Sequence, residues 1–265
     1  MISPGSSLSM IDTHCHLAAK EFDHDREEVI QRARKAGVTP LIFIADTIEE
    51  GRKGVTLTQG KADLFSTVGV HPHHATDFKE EDREILKKLA QSPNVVAIGE
   101  IGLDYHYNFS PGDIQRKVFE TQLRLAKELH LPAVVHTREA IDDTWTIVSS
   151  VQPEKLVLHC CTESFQNVER FIEAGYFLSF TGIATYPHAE GVRHTIKLCP
   201  LENLMLETDA PYLPPAALRA KGGRSMRNEP AFILEVAKIV AEIKRLPLEE
   251  IDRITTENTK RFFGI

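Results

Sequence analysis

The chain has 265 residues, 42% of them hydrophobic and 26% charged, and its formal net charge at pH 7 is −7. These proportions are ordinary for a globular protein. The acidic balance excludes a broad surface that coats duplex DNA by neutralising phosphates, although a strand end could still enter a local basic or metal-lined pocket. No apolar run approaches the roughly 20 residues that a membrane-spanning helix needs, so we expect no membrane partner, and no obligate protein partner is evident.

The first segment, residues 1–9, is rich in Ser and lacks the basic start and apolar core of a secretory signal. We therefore predict that it is a flexible tail ahead of a single domain over residues 10–265. The four cysteines form no spaced disulfide framework, since Cys160 and Cys161 are adjacent in the sequence. A reducing cytoplasm is the simplest location for such a chain.

Short apolar, β-rich runs then alternate with helical patterns along the chain. Continuous Val, Ile and Leu runs of this kind are typical of buried parallel strands. The predicted strands are residues 8–16, 40–46, 64–71, 95–104, 133–137, 156–160, 176–181 and 204–209. Helices are predicted over residues 113–130, 163–174, 230–246 and 248–263, the last two after the final strand.

Eight such alternations predict an α/β protein with a (β/α)8 TIM-barrel fold in one domain. An open, doubly wound sheet is the alternative, because alternation alone does not show that a sheet closes. In a barrel, the polar residues that end the strands face a common mouth. The strand ends are therefore where we expect the functional residues.

The first strand ends in the sequence Asp12-Thr13-His14-Cys15-His16. Side chains alternate between the two faces of a strand, so His14 and His16 share a face and could grip one metal ion, while Cys15 points into packing.

More polar residues follow at the ends of later predicted strands, and most of them are histidines or carboxylates, the types that bind metal. They are His71, His73, Glu100, Asp104, His136, Arg138, His159, Glu207 and Asp209. A charged group that ends a buried strand needs a partner, because burying it alone is costly. A pair of divalent metal ions would supply that partner, so the pattern predicts a metal site.

With these residues the chain resembles a known family, the TatD family of metal-dependent deoxyribonucleases, whose members are amidohydrolase-like barrels. The resembling segments include Ile11-Asp12-Thr13-His14-Cys15-His16, Gly69-Val70-His71-Pro72-His73, Gly99-Glu100-Ile101-Gly102-Leu103-Asp104, Val135-His136-Thr137-Arg138, His159-Cys160 and Glu207-Thr208-Asp209-Ala210-Pro211-Tyr212. The resemblance runs from Ile11 to the C-terminus. It implies that residues 10–265 form a metal-dependent hydrolase barrel.

By that resemblance the metal ligands are His14, His16, Glu100, His136, His159 and Asp209. The histidines of the first strand would hold one ion, and those of the fifth and sixth strands would hold the other. Glu100 would bridge the two ions, and Asp209 would bind the first ion and take a proton from the attacking water. Imidazole suits Zn, Ni or Mn and carboxylate also admits Mg, so the identity of the two divalent ions stays open.

Substrate contacts are a further expectation. His71 and His73 could contact a phosphate, or one of them could cap its strand. Arg138 could bind phosphate bidentately, or it could neutralise Glu100. The basic loop over residues 219–227, which includes Arg224, could lie along a phosphate backbone or be an ordinary solvated loop.

The orienting residues and one departure from the family complete the expectations. Asp104 and Glu207 are expected to orient metal ligands. Glu163 and Cys161 depart from the family pattern, and the Glu163 carboxylate could weaken phosphate binding at the mouth.

The expected activity is hydrolysis of phosphodiester bonds, most simply by a deoxyribonuclease that trims single-stranded DNA or strand ends. The alternatives are a small-molecule amidase, lactonase or esterase that uses the same metals, an aminoacyl-tRNA deacylase, and a binding protein without catalysis. The last is the weakest, because every ligand position of the resemblance is filled.

Overall fold

The computed structural model describes residues 8–222 and 226–265. Within these residues, eight parallel strands form one sheet in chain order. The strands are β1 (Met10–Cys15), β2 (Val38–Phe43), β3 (Leu64–Val68), β4 (Val95–Asp104), β5 (Ala133–Arg138), β6 (Leu156–Leu158), β7 (Phe177–Phe180) and β8 (Leu204–Leu206).

Helices alternate with these strands and surround the sheet. They are α1 (Arg26–Lys35), α2 (Ile48–Thr58), α3 (Asp82–Leu89), α4 (Gly112–Glu128), α5 (Ile141–Val151), α6 (Phe165–Glu173), α7 (Glu190–Leu198), α8 (Ala216–Gly222), α9 (Ile233–Lys244) and α10 (Leu248–Phe263). The apolar positions of α4 recur at helical spacing, so Val118, Phe119, Leu123 and Ala126 are all buried. None of the described helices is both long and apolar enough to cross a bilayer.

The sheet closes between its last and first strands. The Asp209 amide donates to the His14 carbonyl over 2.9 Å, and the His16 amide donates to the Ala210 carbonyl over 2.7 Å. A parallel bridge between Cys15 and Ala210 completes the contact. The predicted (β/α)8 barrel is therefore confirmed, and the open doubly wound sheet was the wrong alternative.

Several strands end earlier than predicted. β6 ends at Leu158 and β8 at Leu206, so His159 and Asp209 lie in the loops that follow the strands. Cys160 and Asp209 have φ values of 46° and 57°, a left-handed conformation that an extended strand does not contain. The backbone therefore turns where the polar residues begin.

Apolar side chains alternate between two cores. Along β2, Leu41 and Phe43 pack in the core outside the barrel, while Ile42 belongs to a smaller inner cluster. Phe262 and Phe263 of α10 also pack in the inner cluster, beside residues from the beginnings of several strands. These contacts fill the end of the barrel opposite the mouth and leave the mouth for polar groups.

Of the predicted N-terminal tail, residues 1–7 lie outside the described residues. Ser9, at its end, contacts α10: its amide donates to Asp252 Oδ2 over 2.9 Å, and its carbonyl accepts from Thr256 Oγ1 over 3.0 Å.

We predict that the close approach of β4 and β5 depends on Gly102. This residue has φ of 138°, pairs with His136, and a Cβ atom placed on it would lie 1.9 Å from the His136 carbonyl oxygen. Gly102→Ala should therefore lower the free energy of unfolding by at least about 2 kcal/mol, as overpacking with a strained backbone does. Denaturant unfolding measures the change.

Gly191→Ala in α7 is the matched control, because no atom within 4 Å would meet its added Cβ. It should leave stability unchanged or raise it slightly, since Ala favours helix. Equal stability of the two variants would contradict the steric role of Gly102.

Candidate metal centre

The six predicted metal ligands meet at the mouth of the barrel. His14 belongs to β1, Glu100 to β4 and His136 to β5, while three more follow the ends of β1, β6 and β8. Four groups of residues that could hold a metal ion share these side chains, and all six predicted ligands belong to at least one group. The centre is thus assembled by strands that are distant in the sequence.

One half of the centre surrounds Glu100 Oε2. The Nε2 atoms of His14 and His16 lie 3.2 and 3.8 Å from this oxygen. Asp209 Oδ1 lies 3.6 Å from His14 Nε2 and 3.3 Å from His16 Nε2. The two Nε2 atoms are 3.2 Å apart. Ligands that share an ion about 2 Å from each have separations of this size.

The other half surrounds Glu100 Oε1. His159 Nε2 lies 2.8 Å from this oxygen, and His136 Nδ1 lies 3.1 Å from it. The two imidazole nitrogens are 3.3 Å apart. The carboxylate of Glu100 thus presents one oxygen to each pair of histidines, which is the arrangement of a bridging ligand.

His71 also contacts the centre. Its Nε2 lies 3.3 Å from Glu100 Oε1, and its Nδ1 accepts the His73 amide over 3.1 Å at the start of a 3-10 helix (Pro72–Asp77). Because Nδ1 is an acceptor, the neutral ring carries its proton on Nε2 and donates towards Glu100. His71 therefore caps the 3-10 helix that follows β3, which differs from the expected cap of the strand itself, and it also reaches the mouth.

Three histidines have a second carboxylate behind them. Asp104 Oδ2 lies 3.0 Å from His136 Nε2, and Glu207 Oε1 lies 3.5 Å from His159 Nδ1. Asp46 Oδ1 similarly lies 3.6 Å from His16 Nδ1. Metal-bound imidazoles commonly face a carboxylate with their other nitrogen, because it fixes the ring and makes it a stronger ligand.

Sequence reasoning missed Asp46 as a member of the centre. The residue ends the second predicted strand, so its position alone marked it as a candidate. It belongs to a possible ligand group with His16 and Glu100. The residue type alone marks Asp46 as a ligand less strongly than it marks the histidines, because an Asp after a strand is common in surface turns.

The electrostatics of the centre favour the binding of cations. Burial by itself would raise the pKa of Glu100, but His159, His71, His136 and His14 hold it well below its usual value. Burial disfavours a charge on His16, yet the carboxylates of Asp46, Asp209 and Glu100 raise its pKa to about 10. In the same way Glu100 and Glu207 raise the pKa of His159 against the effect of burial. Divalent ions could take the place of these protons.

Asp12 ties the two closing strands together beneath the ligands. Its Oδ1 accepts the Thr208 amide over 2.9 Å, and Thr208 Oγ1 donates to its Oδ2 over 2.5 Å. Burial raises its pKa to about 7 in spite of these bonds. Asp12 thereby fixes the distance between β1, which carries His14, and the segment after β8, which carries Asp209.

The other residues that were expected to contact the substrate differ in their positions and partners. His73 Nε2 lies 3.0 Å from Asp104 Oδ2, so it joins the network behind His136. Arg138 is exposed, and its guanidinium carbon lies 4.7 Å from the centre of the Tyr107 ring, so it does not serve as the partner of Glu100. Arg224 lies outside the described residues.

Two further residues of the mouth have partners elsewhere. Arg227 pairs with Asp25 and Glu229 at 2.5 and 3.1 Å, which leaves its charge largely neutralised. Glu163, which lies just before α6, accepts from Asn167 Nδ2 of that helix through its Oε2 over 2.8 Å.

The inner ring nitrogens of three histidines support a fit to metal. Among the described residues, the outer nitrogens His14 Nδ1, His16 Nδ1 and His159 Nδ1 make no hydrogen bond, although carboxylates face those of His16 and His159 at 3.6 and 3.5 Å. The opposite nitrogens of all three rings converge on Glu100 or Asp209. A mixed set of imidazole and carboxylate donors is a suitable environment for a divalent transition metal and is compatible with Mg at its carboxylates.

Comparisons with known proteins agree with this geometry. Residues 11–264 match the family described as TatD related DNase. A relative from Bacillus subtilis, named an uncharacterized metal-dependent hydrolase YabD, is 38% identical over 97% of this chain and 99% of its own length. A relative from Erwinia amylovora, named 3'-5' ssDNA/RNA exonuclease TatD, is 36% identical over 97% of this chain and all of its own length. The crystal structure of YjjV, a TatD homologue from Escherichia coli, has a TM-score of 0.91 at 31% identity over 98% of this chain and 100% of that one.

We predict that Asp104 sets metal affinity through His136. Asp104→Asn keeps the side-chain shape but removes the negative charge that faces His136 Nε2 at 3.0 Å. Affinity for Zn or Mn should fall about 10- to 100-fold, as for other residues that support a metal-bound histidine. Titration of the metal-depleted protein measures the loss.

Asp142→Asn is the matched control, because Asp142 is exposed on α5 and pairs with Arg170. Its metal affinity should equal that of the unmodified protein. An unchanged affinity in Asp104→Asn would show that this carboxylate does not support the centre.

Proposed function

This chain belongs to the TatD-related DNase family and is a metal-dependent hydrolase, and we propose its function from that starting point. Its substrate, in our proposal, is nucleic acid, and its reaction is the removal of nucleotides from an end of single-stranded DNA or RNA. The named exonuclease relative, aligned along its whole length, supports this choice of substrate.

The observation that carries the proposal is the division of Glu100 between two groups of ligands. Oε2 faces His14 and His16, and Oε1 faces His136 and His159. We infer from this division that two divalent ions bind, with Glu100 between them and Asp209 on the first. When bound, such ions act as Lewis acids on a phosphodiester and lower the pKa of water.

Asp209 is the proton acceptor in this proposal. Its side chain is 12% exposed, against 5% or less for His14, His16 and Glu100, so it is the most open of the ligands proposed for the first ion. As the oxygen of the attacking water bonds to phosphorus, one of its protons passes to the Asp209 carboxylate. The bond from phosphorus to the leaving sugar oxygen breaks, and that oxygen leaves with the electron pair.

Arg138 and His71 supply the donors for the phosphate. Arg138 is exposed at the end of β5, two residues beyond His136, and its planar guanidinium suits two phosphate oxygens. His71 carries its proton on Nε2, beside Glu100, where it can donate to an oxygen that approaches the centre. Arg224 is a further proposed contact. Arg227 is a weaker candidate, since its charge is already paired.

We predict that the metal-saturated protein holds two divalent ions per chain. Glu100→Gln should reduce the content to one ion or none, because the amide bridges two cations poorly and faces histidines on both sides. Elemental analysis after dialysis measures the ratio. A single ion in the unmodified protein would contradict the two-metal arrangement.

Glu257→Gln provides the control for that measurement. Glu257 is exposed on α10, where it pairs with Arg253, and its substitution should leave the content at two ions.

We predict that Asp209→Asn removes at least about 99% of hydrolytic activity while the fold survives. The amide is a poor proton acceptor and a poor ligand, and loss of general-base catalysis typically costs about 10²- to 10⁴-fold. Activity on a single-stranded oligonucleotide and circular dichroism measure the two parts.

Asp252→Asn, remote from the mouth on α10, controls for the loss of a carboxylate. Near-normal turnover in metal-loaded Asp209→Asn would remove this residue from the mechanism. Rapid hydrolysis of a small ester or amide, with none of oligonucleotides by the unmodified protein, would instead favour the small-molecule hydrolase.

A further inference from the structure

One loop near the candidate metal centre carries a pair of exposed aromatic rings that have no role in the mechanism above. Tyr107 is 49% exposed and Phe109 is 67% exposed, although large apolar side chains are elsewhere mostly buried. Both lie in the loop that follows β4. Their rings stack on one another, with centroids 5.4 Å apart and planes 16° from parallel.

The loop holds this aromatic pair in a fixed place. The Tyr107 amide donates to Asp104 Oδ1 over 2.9 Å, and Asn108 between the rings has a left-handed φ of 50°. Ser110 Oγ donates to the His73 carbonyl over 3.1 Å and accepts the Thr76 amide over 3.0 Å. A platform fixed in this way loses little conformational entropy when a ligand binds.

The aromatic pair is close to the centre through a short chain of contacts. The Phe109 ring meets the edge of His73 at a centroid distance of 4.8 Å. His73 Nε2 and His136 Nε2 each lie 3.0 Å from Asp104 Oδ2. The pair is therefore separated from a proposed metal ligand by two side chains.

A cation completes the surface. The Arg138 guanidinium lies over the Tyr107 ring at 4.7 Å, and no carboxylate of the described residues lies within ion-pair distance of it. An exposed aromatic pair beside an unneutralised arginine has the chemistry of a site for a single nucleic-acid strand. Aromatic rings stack on unpaired bases, and the cation attracts the adjoining phosphate.

We propose that Tyr107, Phe109 and Arg138 form a stacking subsite for one unpaired nucleobase next to the reacting phosphate. This inference rests on the proposed function and specifies its substrate. A base in a duplex is already paired and stacked, so the subsite would favour single-stranded ends over blunt duplex ends. It fits a purine or a pyrimidine, since the contacts are to the face of the ring and not to its edges.

The test uses the full-length, metal-loaded protein and three substrates: a single-stranded oligonucleotide, the same oligonucleotide with one base near the reacting end removed, and bis(p-nitrophenyl) phosphate. We expect Phe109→Ala to raise KM for the intact oligonucleotide about tenfold. The accompanying change on the small phosphodiester should be at least several-fold smaller. Phe109→Trp should restore most of the loss, because its ring can also stack.

Removal of the base tests the contact itself. At one position near the end, the abasic site should raise KM for the unmodified protein about tenfold and add almost nothing for Phe109→Ala. The proposal would be overturned if base removal and Phe109→Ala raised KM independently, so that their effects multiplied at every position of the abasic site. An equal loss of activity on the oligonucleotide and on the small phosphodiester would also overturn it. Leu198→Ala is the matched control, an exposed apolar residue at the end of α7, and should behave like the unmodified protein.

The outcomes separate this inference from the proposed function. If the unmodified protein does not cut the oligonucleotide at all, the nuclease proposal fails and the subsite fails with it. If the unmodified protein cuts it and Phe109→Ala keeps the same KM, only the stacking subsite is overturned.

Discussion

The buried carboxylate of Glu100 is the constraint on which the site depends. Its side chain is only 3% exposed, so its charge is stable there only if hydrogen-bond donors or positive groups surround it. Four histidine rings meet it at 2.8 to 3.3 Å, and they come from β1, β5 and the loops after β3 and β6. The approach of Asp209 to the same rings is possible only because the sheet closes, since His14 and Asp209 lie at opposite ends of the strand order.

The charges around Glu100 are arranged in layers. Histidines surround the central carboxylate, and further carboxylates face the outer nitrogens of those rings. The outer layer raises the pKa of His16 and His159 and so makes the rings hold positive charge more strongly. An ion that replaces a proton between Glu100 and a histidine gains from the same field. A site with this charge order is suited to bind cations first and an anionic substrate only afterwards.

That order is compatible with the polyanionic substrate that we propose for an acidic protein. With a net charge of −7, the surface as a whole repels nucleic acid. Within the basic loop after β8, Arg227 is held by Asp25 and Glu229, so its charge is already paired. In our proposal, bound ions and Arg138 supply attraction for the substrate at the mouth.

Much of the fold and centre could be predicted from the sequence, and the parts that could not share a physical cause. Alternating apolar runs predicted the barrel, and the polar ends of those runs marked a set of candidate residues. The family resemblance selected six of these as proposed ligands, and the structure brings the six together. Strand periodicity does not report where the backbone leaves the sheet, as at Cys160 and Asp209, nor which partner a side chain finds across loops. The pairing of Arg227 with Asp25 and the joining of Asp46 to His16 depend on such contacts.

The same reasoning explains why the loop after β4 is important beyond the ligands. Asp104 uses one oxygen to fix the Tyr107 amide and the other to face His136. One carboxylate thereby sets both the loop and the orientation of a proposed ligand. Side chains further along the loop, such as Phe109, touch neither Glu100 nor Asp209. The barrel strands and the turns that follow them position the proposed ligands, while in our proposal the rings on this loop contribute to the choice of substrate.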